Sequence, residues 1–349
     1  MNLNLTWINR IEFNIMKILI YPDSKDRGNF YLENLSRILS SKFQVDGYYS
    51  IKSGGIKKIL SCNYYSLNWF ESIFKNRFVW LPFIKRFFLL FLLKILNKKI
   101  IWTVHNKIPH ETNIYSRILI FLLKKWSSKI HILCPATIEE CNLQKYKKKI
   151  VCISHGDYFD NYPPGNFSIR EYYSIPKENN ILLFIGQIRP YKNIELLIDA
   201  FEKAELSKKN WTLLICGEGK LNAQSSKNII LDFNFISNEK MRAYLEQSSL
   251  LIAPYNKKSA LNSGTLWLAC SFAKPFILPD IGCVKNILNR EEFLYVYDYA
   301  NQEEHLENLT DILDKVNADG LETMGKKAHN FICQNSWEKN KKKWWGLFE

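Results

Sequence analysis

Three short segments of this chain carry residue types that hold phosphate. The first is Gly186-Gln187-Ile188-Arg189-Pro190-Tyr191-Lys192-Asn193, which follows the apolar run Ile181–Ile185 and leads into IELLIDAF. Gly186 lets the chain turn sharply. Arg189 and Lys192 fall at the turn and the mouth of the following helix, where free amides already favour an anion. Arginine grips phosphate oxygens in a bidentate way and lysine acts as a point charge. The second segment is Gly217-Glu218-Gly219-Lys220, at the end of TLLIC, and the third is Asn262-Ser263-Gly264-Thr265, at the start of LWLACSFAKP. The third offers backbone amides and two hydroxyls at a helix start. Taken alone, Arg189 and Lys192 are equally consistent with solvated surface cations. Three such turns in one half of the chain, each after a strand or before a helix, point to one phosphate-bearing ligand.

Histidines supply the other candidate chemistry. His105 lies in VHNKIPHE, after IIWTV, with Asn106 beside it and His110 and Glu111 a few residues on. An imidazole there can accept a proton from a hydroxyl or share one with it. His155-Gly156 opens ISHGDYFDNYP, while His131, His305 and His329 read as structural or solvent-exposed. The turn DSKDRGN (Asp23–Asn29) has one glycine and no G-x-G-x-x-G fingerprint, so a dinucleotide is not expected in the first domain. Neither a D-x-D at a strand end nor a P-loop is present. No metal and no bound cofactor are expected.

The elements that must position these turns alternate. Strand-length apolar runs are Lys17–Tyr21, Gln44–Tyr48, Ile100–Val104, Ile130–Cys134 and Ile150–Ser154, then Ile181–Ile185, Trp211–Cys216, Ile229–Phe233, Leu250–Ala253, Phe276–Leu278 and Phe293–Val296. Helical stretches between them include Phe30–Ser41, Tyr115–Ser127, Ile194–Ala204, Asn238–Gln247 and Thr265–Phe272. This order indicates βαβ units and parallel sheets. The pattern runs twice, broken by the Pro- and Asn-rich stretch Asn161–Asn180. We expect an α/β protein of two Rossmann-like, doubly wound domains, residues 1–165 and 166–330, facing a cleft. Residues 331–349 form a tail that crosses back to the first domain, and residues 1–15 read as an extension before the strand at MKILIYP. Ligands in such sheets sit beyond the carboxyl ends of the strands.

Residues 181–290 resemble the donor domain of GT-B glycosyltransferases, especially family 4 and related exopolysaccharide and lipid-linked oligosaccharide enzymes. The pieces that carry this are FIGQIRPYKNIELLIDAF, WTLLICGEGK, FISNEKMRAYLEQSSLLIAPY and SGTLWLACSFAKPFILPDIG; upstream, IWTVHNKIPHE and ISHGDYFDNYP resemble acceptor-domain motifs of the same group. The resemblance implies that Lys192 holds the donor diphosphate. The partner arginine usually follows the glycine directly, where this chain has Gln187, so Arg189 is the expected substitute. Gly217 and Glu218 match the turn near the donor nucleotide, and Phe235 and Ile236 fall where backbone meets the base. Ser263, Gly264 and Thr265 are expected to bind phosphate at a helix start. His105 and His155 are expected in the active site, with His105 as base or as a partner of a donor hydroxyl, and Glu111 as base if the reaction inverts. Gly28, Asn29 and Asn106 fall on the acceptor side. The family's two glutamates, with seven residues between them, are absent: Ala260 and Leu268 stand in their places. With positive groups neutralising the leaving diphosphate, a metal-independent transfer is implied.

Charge bears on partners. The chain has 48 Lys+Arg against 34 Asp+Glu, and residues 1–165 hold 25 of the basic and 11 of the acidic ones, so the second half is neutral. The first half should meet something anionic. Phe87–Leu93 (FFLLFLL) is flanked by Lys85, Arg86, Lys94, Lys98 and Lys99. It reads either as a buried helix or as a helix lying on an anionic leaflet, and it is too short to span a bilayer. The tail NSWEKNKKKWWGLFE admits the same two readings. The eight cysteines show no C-x-x-C pair and read as reduced, buried thiols, with no secretory signal at the N-terminus. Together these readings describe transfer of a sugar from a nucleotide diphosphate sugar to a hydroxyl of a saccharide or polyprenyl-diphosphate-linked acceptor, at the cytoplasmic face of the membrane. In a bacterium this belongs to capsule, exopolysaccharide or O-antigen assembly. The alternative is a non-catalytic binding protein with a degenerate site. Nucleic acid is not an expected partner, because the lysines cluster around a hydrophobic helix rather than on an aromatic sheet face.

Overall fold

The computed structural model describes residues 16–23, 29–48, 57–73, 78–107 and 113–349. Gly28, His110 and Glu111 lie outside the described residues. The first sheet contains β1 (Lys17–Tyr21), β2 (Gln44–Gly47), β3 (Tyr64–Asn68), β4 (Lys99–Val104), β5 (Lys129–Ile132) and β6 (Ile150–Cys152), in the order β2-β1-β3-β4-β5-β6. The second contains β7 (Asn180–Ile185), β8 (Trp211–Cys216), β9 (Ile229–Asp232), β10 (Leu250–Ile252), β11 (Phe276–Pro279) and β12 (Leu294–Tyr297), in the order β12-β11-β10-β7-β8-β9. Every pairing between these strands is parallel. Strand order reverses between β1 and β3 in the first sheet and between β7 and β10 in the second. Crevices open at such reversals, beyond the strands' carboxyl ends.

Both faces of each sheet are covered, which is why strands such as β8 (WTLLIC) are continuously apolar and buried throughout. In the second sheet Leu182, Phe184, Leu213 and Ile215 pack against α4 (Ile194–Lys203) and α7 (Gln302–Asp314). Their alternates Leu183, Ile185, Leu214 and Cys216 pack against α5 (Asn238–Gln247), α6 (Gly264–Ser271) and α8 (Leu321–Gln334). The period of two along each strand sends successive side chains to opposite faces.

In the first sheet one face holds α2 (Trp80–Ile95) and α3 (Ile114–Trp126), through Leu89, Leu90, Leu93, Leu119 and Leu123. The other face holds α1 (Phe30–Ser40) and α9 (Trp337–Leu347). Helix α9 brings the C-terminal segment onto the first domain: Trp337, Trp344, Leu347 and Phe348 are buried beside Tyr31 and Leu35, and the Trp345 indole donates to the Ile38 carbonyl at 3.1 Å. Trp337 and Trp344 are therefore core residues and form no membrane-facing surface.

Strand β3 was not among the runs read from the sequence. Its YYSLN carries two polar positions, and Ser66 and Asn68 are nevertheless buried. It lies between β1 and β4, in the middle of the sheet, and its carboxyl end enters the site described next.

Candidate functional site

The phosphate-type turns converge at the carboxyl edge of the second sheet. Gly186 and Gly217 have φ of +131° and +138°, a region that side chains rarely adopt. The two turns touch: a Cβ on Gly217 would lie 2.3 Å from the Gly186 carbonyl oxygen. The Ile188 amide donates to the Glu218 carbonyl at 2.9 Å, and the Gly217 amide to the Asp232 carbonyl at 2.9 Å. A side chain at Gly217 would force the turns apart, and one at Gly186 would displace the Lys192 ammonium.

Lys192 folds back beneath this turn. A Cβ built on Gly186 would meet its ammonium nitrogen at 2.9 Å, and that nitrogen sits 5.3 Å from the centre of the Phe184 ring. Lys192 is 8% exposed, and among the described residues no carboxylate lies within 4.0 Å of it. Burial, then the nearby Arg189, pushes its pKa down to about 8. A buried cation without an anion is expensive, and persists where a ligand supplies the charge. Arg189 is exposed, its guanidinium 3.3 Å from the Gln187 side-chain oxygen.

Beside this turn a cleft of about 400 Å³ is lined by Asn29, Phe30, Tyr158, Tyr162, Ile185, Gly186, Met241, Gly264, Thr265 and Leu268. Both domains and the segment joining them contribute. Ser263 N-caps α6 by accepting from the Leu266 amide at 3.1 Å, and also contacts the Tyr255 hydroxyl at 3.0 Å. Its oxygen is thus committed to the cap, and Gly264 and Thr265 line the cleft. Asn29 is committed likewise, capping α1 through the Tyr31 and Leu32 amides. Leu268 lines the cleft and Ala260 is buried, so the two positions where the family carries glutamates offer no carboxylate here. Phe235 is 75% exposed and Ile236 is buried, both in the turn after β9. Glu218 is exposed.

His105 directly follows β4 and is buried. Its Nε2 meets Asn68 Oδ1 at 3.1 Å, its ring stacks on Trp69 at 3.9 Å and 16°, and Tyr31 approaches edge-on at 5.0 Å. Burial, with smaller contributions from His131 and His155, holds its pKa well below the ordinary histidine value. From the second domain, Asn262 donates to the His105 carbonyl at 2.9 Å, tying this turn to the residue before the α6 cap. Asn106 follows, partly exposed.

His155 is engaged within the protein. Its Nδ1 donates to the Gly156 carbonyl at 2.9 Å, which leaves Nε2 to accept from the Tyr158 hydroxyl at 3.3 Å. It packs near Tyr31 and parallel to Trp267, and burial lowers its pKa to about 4. The imidazole therefore reaches the cleft only through Tyr158. Next to it, Asp157 Oδ2 accepts the Trp337 amide at 2.9 Å, and Tyr158 N donates to Ser271 Oγ at 3.0 Å. This turn joins α9, the linker and α6.

His131 and His305 are buried and hydrogen-bonded, His131 to the Ile153 carbonyl and His305 to the Tyr297 hydroxyl. Of the residues singled out in the second half, Gly186, Gly264 and Thr265 line one crevice, Gly217 touches Gly186 and Lys192 lies beneath it, while His105 is buried in the first domain and is not among the lining residues. Tyr158, Tyr162, Met241 and Phe30 join them without having been singled out from the sequence. The two tyrosines lie inside the flagged ISHGDYFDNYP segment, but nothing local marks them as cleft residues.

Comparison with known proteins bears on the fold and on the family the second half resembles. Residues 166–331 match the family model described as Glycosyl transferases group 1. The D-rhamnosyltransferase WbpZ of Pseudomonas aeruginosa is 25% identical over 154 residues, which is 42% of this chain and 39% of that protein. The chain spans about half the length, or less, of the curated relatives it matches. Anabaena HepE, solved in complex with UDP-glucose, superposes with a TM-score of 0.67 at 11% identity, covering 96% of this chain and 99% of that one. WaaG, a glycosyltransferase involved in lipopolysaccharide biosynthesis, superposes at 0.56 with 14% identity, covering 94% and 98%. Residues 166–331 are thus similar to group 1 glycosyltransferases, and the chain as a whole has the GT-B fold of the solved structures.

Proposed function

We propose that this protein transfers a sugar from a nucleotide diphosphate sugar to a hydroxyl of a lipid-linked saccharide, at the cytoplasmic face of a membrane, in bacterial surface polysaccharide assembly. The observation that carries the donor assignment is Lys192: a buried ammonium with no carboxylate beside it among the described residues, under a glycine turn at the edge of a cleft. A diphosphate is the ligand that supplies the missing charge. Arg189 and the amides at the start of α6 complete its neutralisation, so the transfer runs without a metal. His105 meets a hydroxyl of the transferred sugar or of the acceptor. UDP-sugars are the first donors to test, because HepE is crystallised with one.

The test is release of nucleoside diphosphate from a panel of UDP-, GDP- and dTDP-sugars, with and without EDTA. Turnover that survives EDTA is the expected result. Nucleotide binding with no hydrolysis or transfer from any donor would favour the second reading, a non-catalytic binding protein, for which Ala260 and Leu268 in the places of the family glutamates are the specific observation.

The membrane assignment rests on α2 and α3. No helix among the described residues is long and apolar enough to cross a membrane. Yet Trp80, Leu81, Ile84, Phe88, Phe91 and Ile95 are exposed along α2, with Ile114 and Phe121 exposed on α3. Lys85, Lys94, Lys99, Arg117 and Lys125 are exposed on or beside the same helices. Aromatic and aliphatic groups ringed by cations suit an anionic leaflet. Wild-type protein should float with phosphatidylglycerol vesicles and not with phosphatidylcholine ones. Replacing Phe88 and Phe91 by serine should weaken that binding roughly 30-fold or more, from the apolar area withheld from the bilayer. Equal flotation of variant and wild type would remove α2 from the interface.

A further inference from the structure

We infer that Asn68 is a positioning residue, which fixes His105 as the Nε2–H tautomer and so presents Nδ1 as the hydrogen-bond acceptor for a substrate hydroxyl. The assignment follows from donors and acceptors. Asn68 Nδ2 lies 3.2 Å from the Tyr21 carbonyl oxygen, which can only accept. The amide is therefore oriented with its NH2 toward β1, and Oδ1 is the atom that faces His105 Nε2 at 3.1 Å. A carboxamide oxygen cannot donate, so Nε2 carries the proton. Nδ1 is then the bare nitrogen, and among the described residues it has no protein partner. The opposite tautomer would set two lone pairs against each other in a buried site.

The segment around Asn68 is built to hold this arrangement. Trp69, the next residue, has φ of +49°, a left-handed conformation that is unfavourable for a bulky residue. In that conformation its indole lies flat on the imidazole. The turn is clamped from α2, where Arg86 Nη1 donates to the carbonyls of Phe70 at 2.6 Å and Ser72 at 2.7 Å. Strand, strained turn and clamp together leave the imidazole ring one orientation, and the Asn68 side chain selects its protonation. None of these residues is near His105 in the sequence, and Asn68 belongs to the one strand that the hydrophobic pattern did not reveal.

Only the kinetic arm of this inference rests on the proposed glycosyl transfer. In 15N-labelled full-length protein at pH 7, the His105 ring should report a neutral Nε2–H form. Asn68→Ala should yield a mixture of tautomers and lower kcat about 10- to 100-fold, with donor KM within twofold. Asn68→Asp keeps an acceptor opposite Nε2, so it should hold the tautomer and recover turnover relative to Asn68→Ala. It should also bring the His105 titration upward, because a carboxylate favours the imidazolium. A wild-type ring protonated on Nδ1, or an unchanged tautomer and kcat in Asn68→Ala, overturns the inference. If the protein transfers no sugar at all, that failure belongs to the proposed function, and the tautomer measurement still decides the role of Asn68.

Discussion

Lys192→Met should make the protein more resistant to heat while reducing its affinity for a nucleoside diphosphate about 10²- to 10³-fold. The stabilisation follows from linkage. The folded pKa is about 8, below the ordinary lysine value, so between pH 8 and about 10.4 the native protein binds fewer protons than the unfolded chain. Stability contributed at this position therefore rises with pH across that window, and the cost of the buried charge is fully present below it. Near pH 7 that cost is about 3 kcal/mol, which methionine removes while keeping a polarisable group against the Phe184 ring. The gain in Tm should be several degrees at pH 7 and should shrink to nothing by about pH 10.5. Excess UDP or GDP should reverse the ranking, raising the Tm of wild type and leaving the variant unmoved. In wild type, donor affinity should weaken about tenfold for each pH unit above 8, as the free lysine loses its proton. A variant that is less stable at pH 7, or that binds nucleotide normally, would return Lys192 to the ordinary structural lysines.

The pairing of a stability cost with a binding site explains which parts of this molecule could be read in advance. Parallel strands buried on both faces, such as β7 and β8, announce themselves as unbroken apolar runs, and the cationic and glycine turns follow them directly in sequence. Lys192 is legible as a residue type after a strand, but its burial is not, because that depends on how the Pro190–Lys192 turn folds beneath Gly186. β3 escaped because Ser66 and Asn68 interrupt its apolar pattern; both are buried, with the Asn68 amide donating to Ser66 Oγ and to the Tyr21 carbonyl of β1. His155 was legible as a histidine in a cleft-facing segment. Its two internal hydrogen bonds, one to its own neighbour Gly156 and one to Tyr158, were not. The swap of glutamates for Ala260 and Leu268 was visible by comparison of motifs. Only the structure places Leu268 in the cleft wall and Ala260 under the surface.

His105→Ala should lower kcat about 10²-fold or more with donor KM little changed, in protein that remains folded by circular dichroism. The expected pH profile discriminates between the two roles an imidazole can play here. A general base poised near neutrality would give an acid limb, with turnover falling as pH drops through 6.5. Burial holds the His105 pKa well below the ordinary histidine value, so its neutral form dominates at neutral pH. Wild-type kcat should accordingly stay flat between pH 6 and 8, and the fall in kcat/KM above pH 8 should belong to Lys192. A flat profile with a large kcat loss on removing the ring is the signature of a neutral hydrogen-bond acceptor that aligns a hydroxyl, tightening as the sugar leaves its diphosphate. The alanine variant also loses the stack on Trp69 and opens a cavity in the first domain, a structural cost of about 2–4 kcal/mol. His105→Gln separates the two losses: it refills part of the space and restores a side-chain acceptor, and should recover some turnover. If His105→Ala turns over within threefold of wild type while the chain transfers sugar, the imidazole is packing, and the hydroxyl is held elsewhere in the cleft.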